Sequence, residues 1–195
     1  MVVYGIIYLI VSETVHQERV AMKSSVKLSR KDKEKIRKEI SDLKEKSRFN
    51  QSKQHIQHGK TSVYLHCISV ACLSIWIART CGIKVHDKDL IRGALLHDYF
   101  LYDWHDKEPS HMLHGFFHPR TAYENAREDV VLSELETDII VKHMFPLTVI
   151  PPMCRESAIV CVADKICSSQ ETVEGFKLRL CDGIKKMTSV ISAYH

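Results

Sequence analysis

The stretch Leu95-Leu96-His97-Asp98 constrains the fold more than any other. An apolar run that ends in an aspartate carries a carboxylate to the edge of a hydrophobic core. A charge there costs several kcal/mol unless it is paired or bound to a cation. On a helix, His97 and Asp98 project about 100° apart, so they reach one point from two sides but cannot stack. That is a geometry for gripping a metal ion. The chain must bring further ligands to the same place.

The rest of the sequence reads as helices. Ser29 is placed to cap a charged helix from Arg30 to Lys46, with Ile36, Ile40 and Leu43 on its apolar side. A polar linker, 47–60, follows. Thr61 is a candidate cap for a helix over 61–80, apolar on most sides and hence central. Val63, Leu65, Ile68, Ala71, Ile75 and Ala78 line one face, His66 lies on another, and Gly82 ends the helix. Asp87 is placed to cap the next helix, 88–99, which carries His97 and Asp98. Residues 100–117 break all periodicity and predict a long loop. Pro119 predicts N1 of a helix over 119–128, with His118 at its cap. Ser133 and Glu136 form a capping box that opens a helix to Met144. After Pro146, Pro151 and Pro152 come helices over 153–170 and 176–193; the second packs through Phe176, Leu180, Ile184, Met187 and Ile191. No strand is needed.

At 195 residues the chain holds one domain with a real core. The expected fold is therefore all-α: a compact bundle of about seven helices over 29–195, preceded by an extension, 1–28. Residues 1–11 are apolar but shorter than the ~20 residues that span a bilayer. They fit a packed element, an interfacial anchor or a dispensable extension, the last being favoured. No transmembrane segment is expected.

Charge is unevenly placed. Residues 22–48 hold eleven Lys/Arg against five Asp/Glu, while the whole chain carries only +4. A basic helix of this kind can touch nucleic acid or an anionic surface. Interleaved Lys and Glu more often make a plain solvated helix, so no nucleic-acid partner is expected. Seven cysteines, an odd count with no C-x-x-C pair, fit a reducing, cytoplasmic compartment.

Five segments offer a polar side chain from an apolar setting: His66, His97-Asp98, His118, His143 and Asp164. A lone buried histidine more often bonds a carbonyl than a metal. Together, however, each of these would need its own partner, whereas one metal centre satisfies all of them. Imidazole plus carboxylate without thiolate suits iron, manganese, zinc or nickel, not a Cys-rich structural zinc site.

The ordered set resembles the HD domain of metal-dependent phosphohydrolases. The matching stretches are Thr61-Ser62-Val63-Tyr64-Leu65-His66, Ala94-Leu95-Leu96-His97-Asp98, His118-Pro119, Lys142-His143-Met144 and Ala163-Asp164-Lys165. The resemblance implies a first site of His66, His97, Asp98 and Asp164, and a second of His118, His143 and a bridging Asp98. It implies one or two divalent ions (iron, manganese, zinc, nickel or magnesium) and attack of a metal-activated hydroxide on a small phosphorylated metabolite or nucleotide. Asp98, His114 and Lys165 are the expected catalytic residues. Lys142 and Arg120 are further candidates for neutralising phosphate.

Members that cleave cyclic dinucleotides carry Gly and Lys soon after the His-Asp pair and a Gly-Tyr-Pro signature. Here Asp98 is followed by Tyr99-Phe100-Leu101-Tyr102-Asp103-Trp104, so that substrate is not assigned. The aromatic loop 99–117 either stacks a base or simply packs. Two rival functions keep the fold: a di-iron oxygenase, and a non-catalytic metal-containing sensor or binding module.

Overall fold

The computed structural model describes residues 27–58, 61–102 and 114–192; the side chains of His58, His114 and 174–192 are not described. The reading of residues 1–11 and the packing positions expected over 176–193 lie outside the described part. The described elements are α1 (Arg30–Lys46), a 3-10 helix (Arg48–Lys53), β1 (Ile56–His58), β2 (Thr61–Ser62), α2 (Val63–Thr80), α3 (Asp87–Leu96), α4 (His114–Asp129), α5 (Glu134–Lys142) and α6 (Arg155–Ser192). The architecture is all-α, with one two-stranded antiparallel ribbon.

The central helix is α2. It packs against α3 and α6, while α3 packs in turn on α5 and α5 on α4 and α6. Val63, Val70, Ala71, Ile75, Ile77 and Ala78 are buried. By length and composition α2 could cross a membrane, but here it supplies the core of a bundle. Leu65, expected on the packed side, is 54% exposed. A helix apolar nearly all round must still turn one stripe outward, and that stripe runs through Leu65 and Ser69.

Local chemistry explains most helix starts. The Ser29 hydroxyl accepts from the Asp32 amide at 3.1 Å, and Ser133 with Glu136 forms the full capping box. The differences from expectation also have physical causes. Ser62, not Thr61, caps α2, because Thr61 is used in β2. Asp87 is the first residue of α3 and not its cap: its carboxylate is taken up by Lys35 and by Arg79 at 2.7 Å. The linker 47–60 is ordered in part as the 3-10 helix and β1, and the Val63 amide donates to the His55 carbonyl at 2.9 Å. Pro119 lies inside α4, so His118 is a mid-helix residue and not a cap. The two helices expected over 153–170 and 176–193 are one continuous α6.

Arg79 bridges Asp32 at 3.0 Å and Asp87, tying α1, α2 and α3 together. Burial would raise both carboxyls. Hydrogen bonds from Ser29 and Arg79 to Asp32, and from Arg79 and Lys35 to Asp87, outweigh it and hold both below their ordinary value. A carboxyl depressed on folding contributes stability above its unfolded pKa, about 3.9, and loses it as pH falls through the folded value. Arg79→Ala should therefore lower the melting temperature at pH 7, and the gap from wild type should close below about pH 4. A gap that persists there would show that Arg79 acts by packing alone.

Gly93 sets the spacing of α3 and α5. A Cβ at this position would lie 2.5 Å from Ile139 Cδ1 and 3.0 Å from its Cβ, and Ile139 is fully buried. Replacing glycine by alanine in a helix gains about 1 kcal/mol; forcing a methyl into a packed core costs about 1–3 kcal/mol. Gly93→Ala is expected to be net destabilising in urea unfolding, against the helix-propensity rule.

Candidate metal centre

The fold brings His66, His97, Asp98, His118, His143 and Asp164 into one buried cluster. Each arrives from a helix or its end. His66 is on α2, His118 on α4 and Asp164 on α6; His97 and His143 are the C-terminal caps of α3 and α5. A helix end suits a ligand, because the chain there is free of the next turn and the ring can bond back to a carbonyl. His97 Nδ1 donates to the Ala94 carbonyl and His143 Nδ1 to the Ile140 carbonyl, both at 2.8 Å. His66 Nδ1 donates to Glu171 Oε2 at 3.0 Å. With Nδ1 occupied in all three rings, Nε2 is the atom turned to the cluster.

The Nε2 atoms converge on two carboxylates. His66 Nε2 lies 3.1 Å from Asp164 Oδ1 and 3.5 Å from Asp98 Oδ2; His97 Nε2 lies 3.3 Å from Asp98 Oδ2 and 3.6 Å from Asp164 Oδ1. On the other side, His118 Nε2 is 3.1 Å and His143 Nε2 3.5 Å from Asp98 Oδ1, and the two rings approach at 2.9 Å. One oxygen of Asp98 thus faces each group. Two ligand sets result, His66-His97-Asp98-Asp164 and Asp98-His118-His143, each with its donor atoms within 4.8 Å of one another.

The donor set fits a pair of divalent cations. His97 Nε2 and Asp98 Oδ1 are buried without a well-directed hydrogen bond, an unusual expense for polar atoms in a core. Burial works against charge on His66, yet hydrogen bonds to Asp164 and Glu171 lift the imidazole to about 10. Burial would also raise Asp98 and Asp164. His97, His118 and His143 hold the first well below its ordinary value, and His66 and His97 hold the second. His143, with burial dominant, is pushed down to about 4 and stays neutral, as a ligand must. The field of the two carboxylates that attracts protons to His66 attracts a cation equally.

The HD-domain family pattern matches residues 63–168. The chain belongs to the HD-domain family. No curated protein and no solved structure matches it.

Two contacts with the HD ligands come from outside the matched segment. Gln57 on β1 is 5% exposed and its Nε2 donates to Asp98 Oδ2 at 2.6 Å. Glu171 on α6 completes a carboxylate–histidine pair with His66. Neither was singled out from sequence. The polar linker hid Gln57, and Glu171 falls seven residues past Asp164, two helical turns on, a spacing that marks a shared face only once α6 is known to continue.

The other sequence candidates are placed differently. Lys165 Nζ donates to the His143 carbonyl at 2.8 Å and to the Cys161 carbonyl at 3.3 Å, so in this structure it anchors a ligand-bearing turn. Lys142 pairs with Asp138. Arg120 is exposed on α4, and His114 is the first residue of that helix, with its side chain outside the described part. Tyr99 and Phe100 are buried: the Tyr99 hydroxyl donates to Asp129 at 2.7 Å, and Phe100 meets His118 edge-on at 5.8 Å. For these two aromatics, packing is the role.

Asp98→Ala should remove metal from both sets, whereas His118→Ala and His143→Ala should empty one; elemental analysis of the purified variants measures this. Glu171→Ala should weaken metal binding by about 10–100-fold, read by chelator competition. Unchanged affinity would assign Glu171 to helix solubility alone.

Proposed function

We propose that this chain is a metal-dependent phosphohydrolase that cleaves a phosphoester of a small phosphorylated metabolite or nucleotide. The observation that supports this reading best is the sharing of one buried carboxylate, Asp98, between two ligand sets. Divalent cations held by those sets supply Lewis acidity toward phosphoryl oxygens and acidify water near neutrality.

The chain's own residues prepare that chemistry. Asp98 fixes the spacing of the two sets, because its oxygens are bonded to one carbon and face opposite groups. The backbone carbonyls of Ala94 and Ile140 and the carboxylate of Glu171 fix the tautomers of His97, His143 and His66, so none of these three rings needs to reorient when a cation binds. Lys165 secures the turn that carries His143. Burial of all six ligands keeps bulk water from competing for charge.

The test is turnover of a panel of phosphomonoesters, phosphodiesters and nucleotides by protein loaded in turn with manganese, iron, nickel, zinc or magnesium. Phosphate or nucleoside release is expected, and Asp98→Ala should abolish it while the variant remains folded. Oxygen uptake in place of hydrolysis, or silence across the panel with both ligand sets filled, would overturn the proposal in favour of an oxygenase or a sensor.

A further inference from the structure

Gln57 is buried beside the metal centre, and nothing in the HD pattern accounts for it. It sits on the short β1 strand, which packs against both α2 and α6 and so reaches the place where their ligands meet. A buried carboxamide has two ends to satisfy. The Asp98 carboxylate can only accept, so the end 2.6 Å from its Oδ2 must be the Nε2 donor. The remaining end, Oε1, is then buried with no hydrogen-bond partner. An amide oxygen in that position costs about 1–3 kcal/mol unless a donor reaches it.

We infer that Gln57 is a positioning residue of the centre. Through Nε2 it holds Asp98 so that Oδ2 serves the His66-His97-Asp164 set and Oδ1 the His118-His143 set. Through Oε1 it accepts a hydrogen from water held at the centre. The group that satisfies Oε1 must be a hydrogen-bond donor or a cation. An ionised phosphoryl oxygen is an acceptor and is repelled there, whereas water is not. Gln57 therefore marks the side of the site from which water approaches, and the phosphoryl group lies elsewhere. This rests on the two-set metal centre described above, which the same experiment tests separately.

Wild-type protein and the variants Gln57→Met and Gln57→Asn would be titrated with Mn²⁺. Calorimetry reads affinity, and electron paramagnetic resonance reads the exchange coupling of two ions bridged by a carboxylate. Methionine keeps the length and burial but lacks the donor. Asparagine keeps a carboxamide but is one methylene too short to reach Asp98. If either variant fails to fold, the other suffices; melting curves recorded without added metal show which is folded. Wild type is expected to bind two equivalents with a coupled spectrum. The folded variants should bind about 10–100-fold more weakly and lose or alter the coupling. With a chromogenic aryl phosphate, kcat should fall while KM stays within about twofold, because the water and not the phosphoryl group is mispositioned. Wild-type affinity and coupling in a folded variant would overturn the role of Gln57 and leave the metal centre standing. Failure of wild type itself to bind Mn²⁺, and likewise iron, nickel, zinc and magnesium offered in turn, would overturn both.

Discussion

One buried carboxylate organises this molecule. Asp98 is 1% exposed and lies against four histidines and a carboxamide. A single ionised aspartate in a core is unstable alone, and the fold answers by bringing four other helical segments to it. The packing follows that need. Gly93 allows α3 and α5 to approach so closely that no side chain fits between them, which sets His97-Asp98 and His143 at the ends of adjacent helices. The Tyr99 hydroxyl, Asp129 and Arg48 form a chain of hydrogen bonds that pins the residue immediately after Asp98. Asn125 adds a bond to the Tyr99 carbonyl at 2.9 Å. The turn beyond ends at Leu101 with φ of 51°, a left-handed conformation costly for a β-carbon-bearing residue. Such a residue persists only where its surroundings hold it, and here they hold the metal-binding pair.

The ligand set was legible in sequence because its physics is local. A histidine or aspartate inside an apolar run is conspicuous whatever the tertiary structure, and His66, His97, Asp98, His118, His143 and Asp164 all stand out this way. Helix existence was legible for the same reason, through period and caps. The misses are those where two local rules compete. Pro119 has a strong preference for the first turn, yet the turn before it is helical too, so His118 lies within α4. The stretch Glu171-Thr172-Val173-Glu174-Gly175 reads as a break between two apolar-periodic helices, yet α6 runs through. Leu65 follows the apolar rule and still faces solvent, because central position in a bundle does not mean burial on every side.

Gln57 and Glu171 were illegible for a different reason. Each is a polar residue in a polar neighbourhood, and its importance comes from the atom it meets 41 or 105 residues away. Lys165 is the converse case. The resemblance put it forward as a catalytic residue; adjacency in sequence on a helix means a different face from Asp164, and in this structure its ammonium meets the end of α5. What the sequence reveals well is the ring of atoms that could hold a cation; the atoms that aim those ligands belong to tertiary structure.

The convergence of ligands also has a mechanical consequence. His66 and Asp164 are 98 positions apart in the chain, so an ion held between them is a clasp across nearly the whole domain. A cation bound only by the folded form would shift the balance toward that form by mass action. With such an ion bound, the lifetime of the folded protein would be tied to the free concentration of the ion. Were the ion scarce, the chain would lose the cation and a fastening of its fold together, and would become more exposed to proteolysis at the same moment.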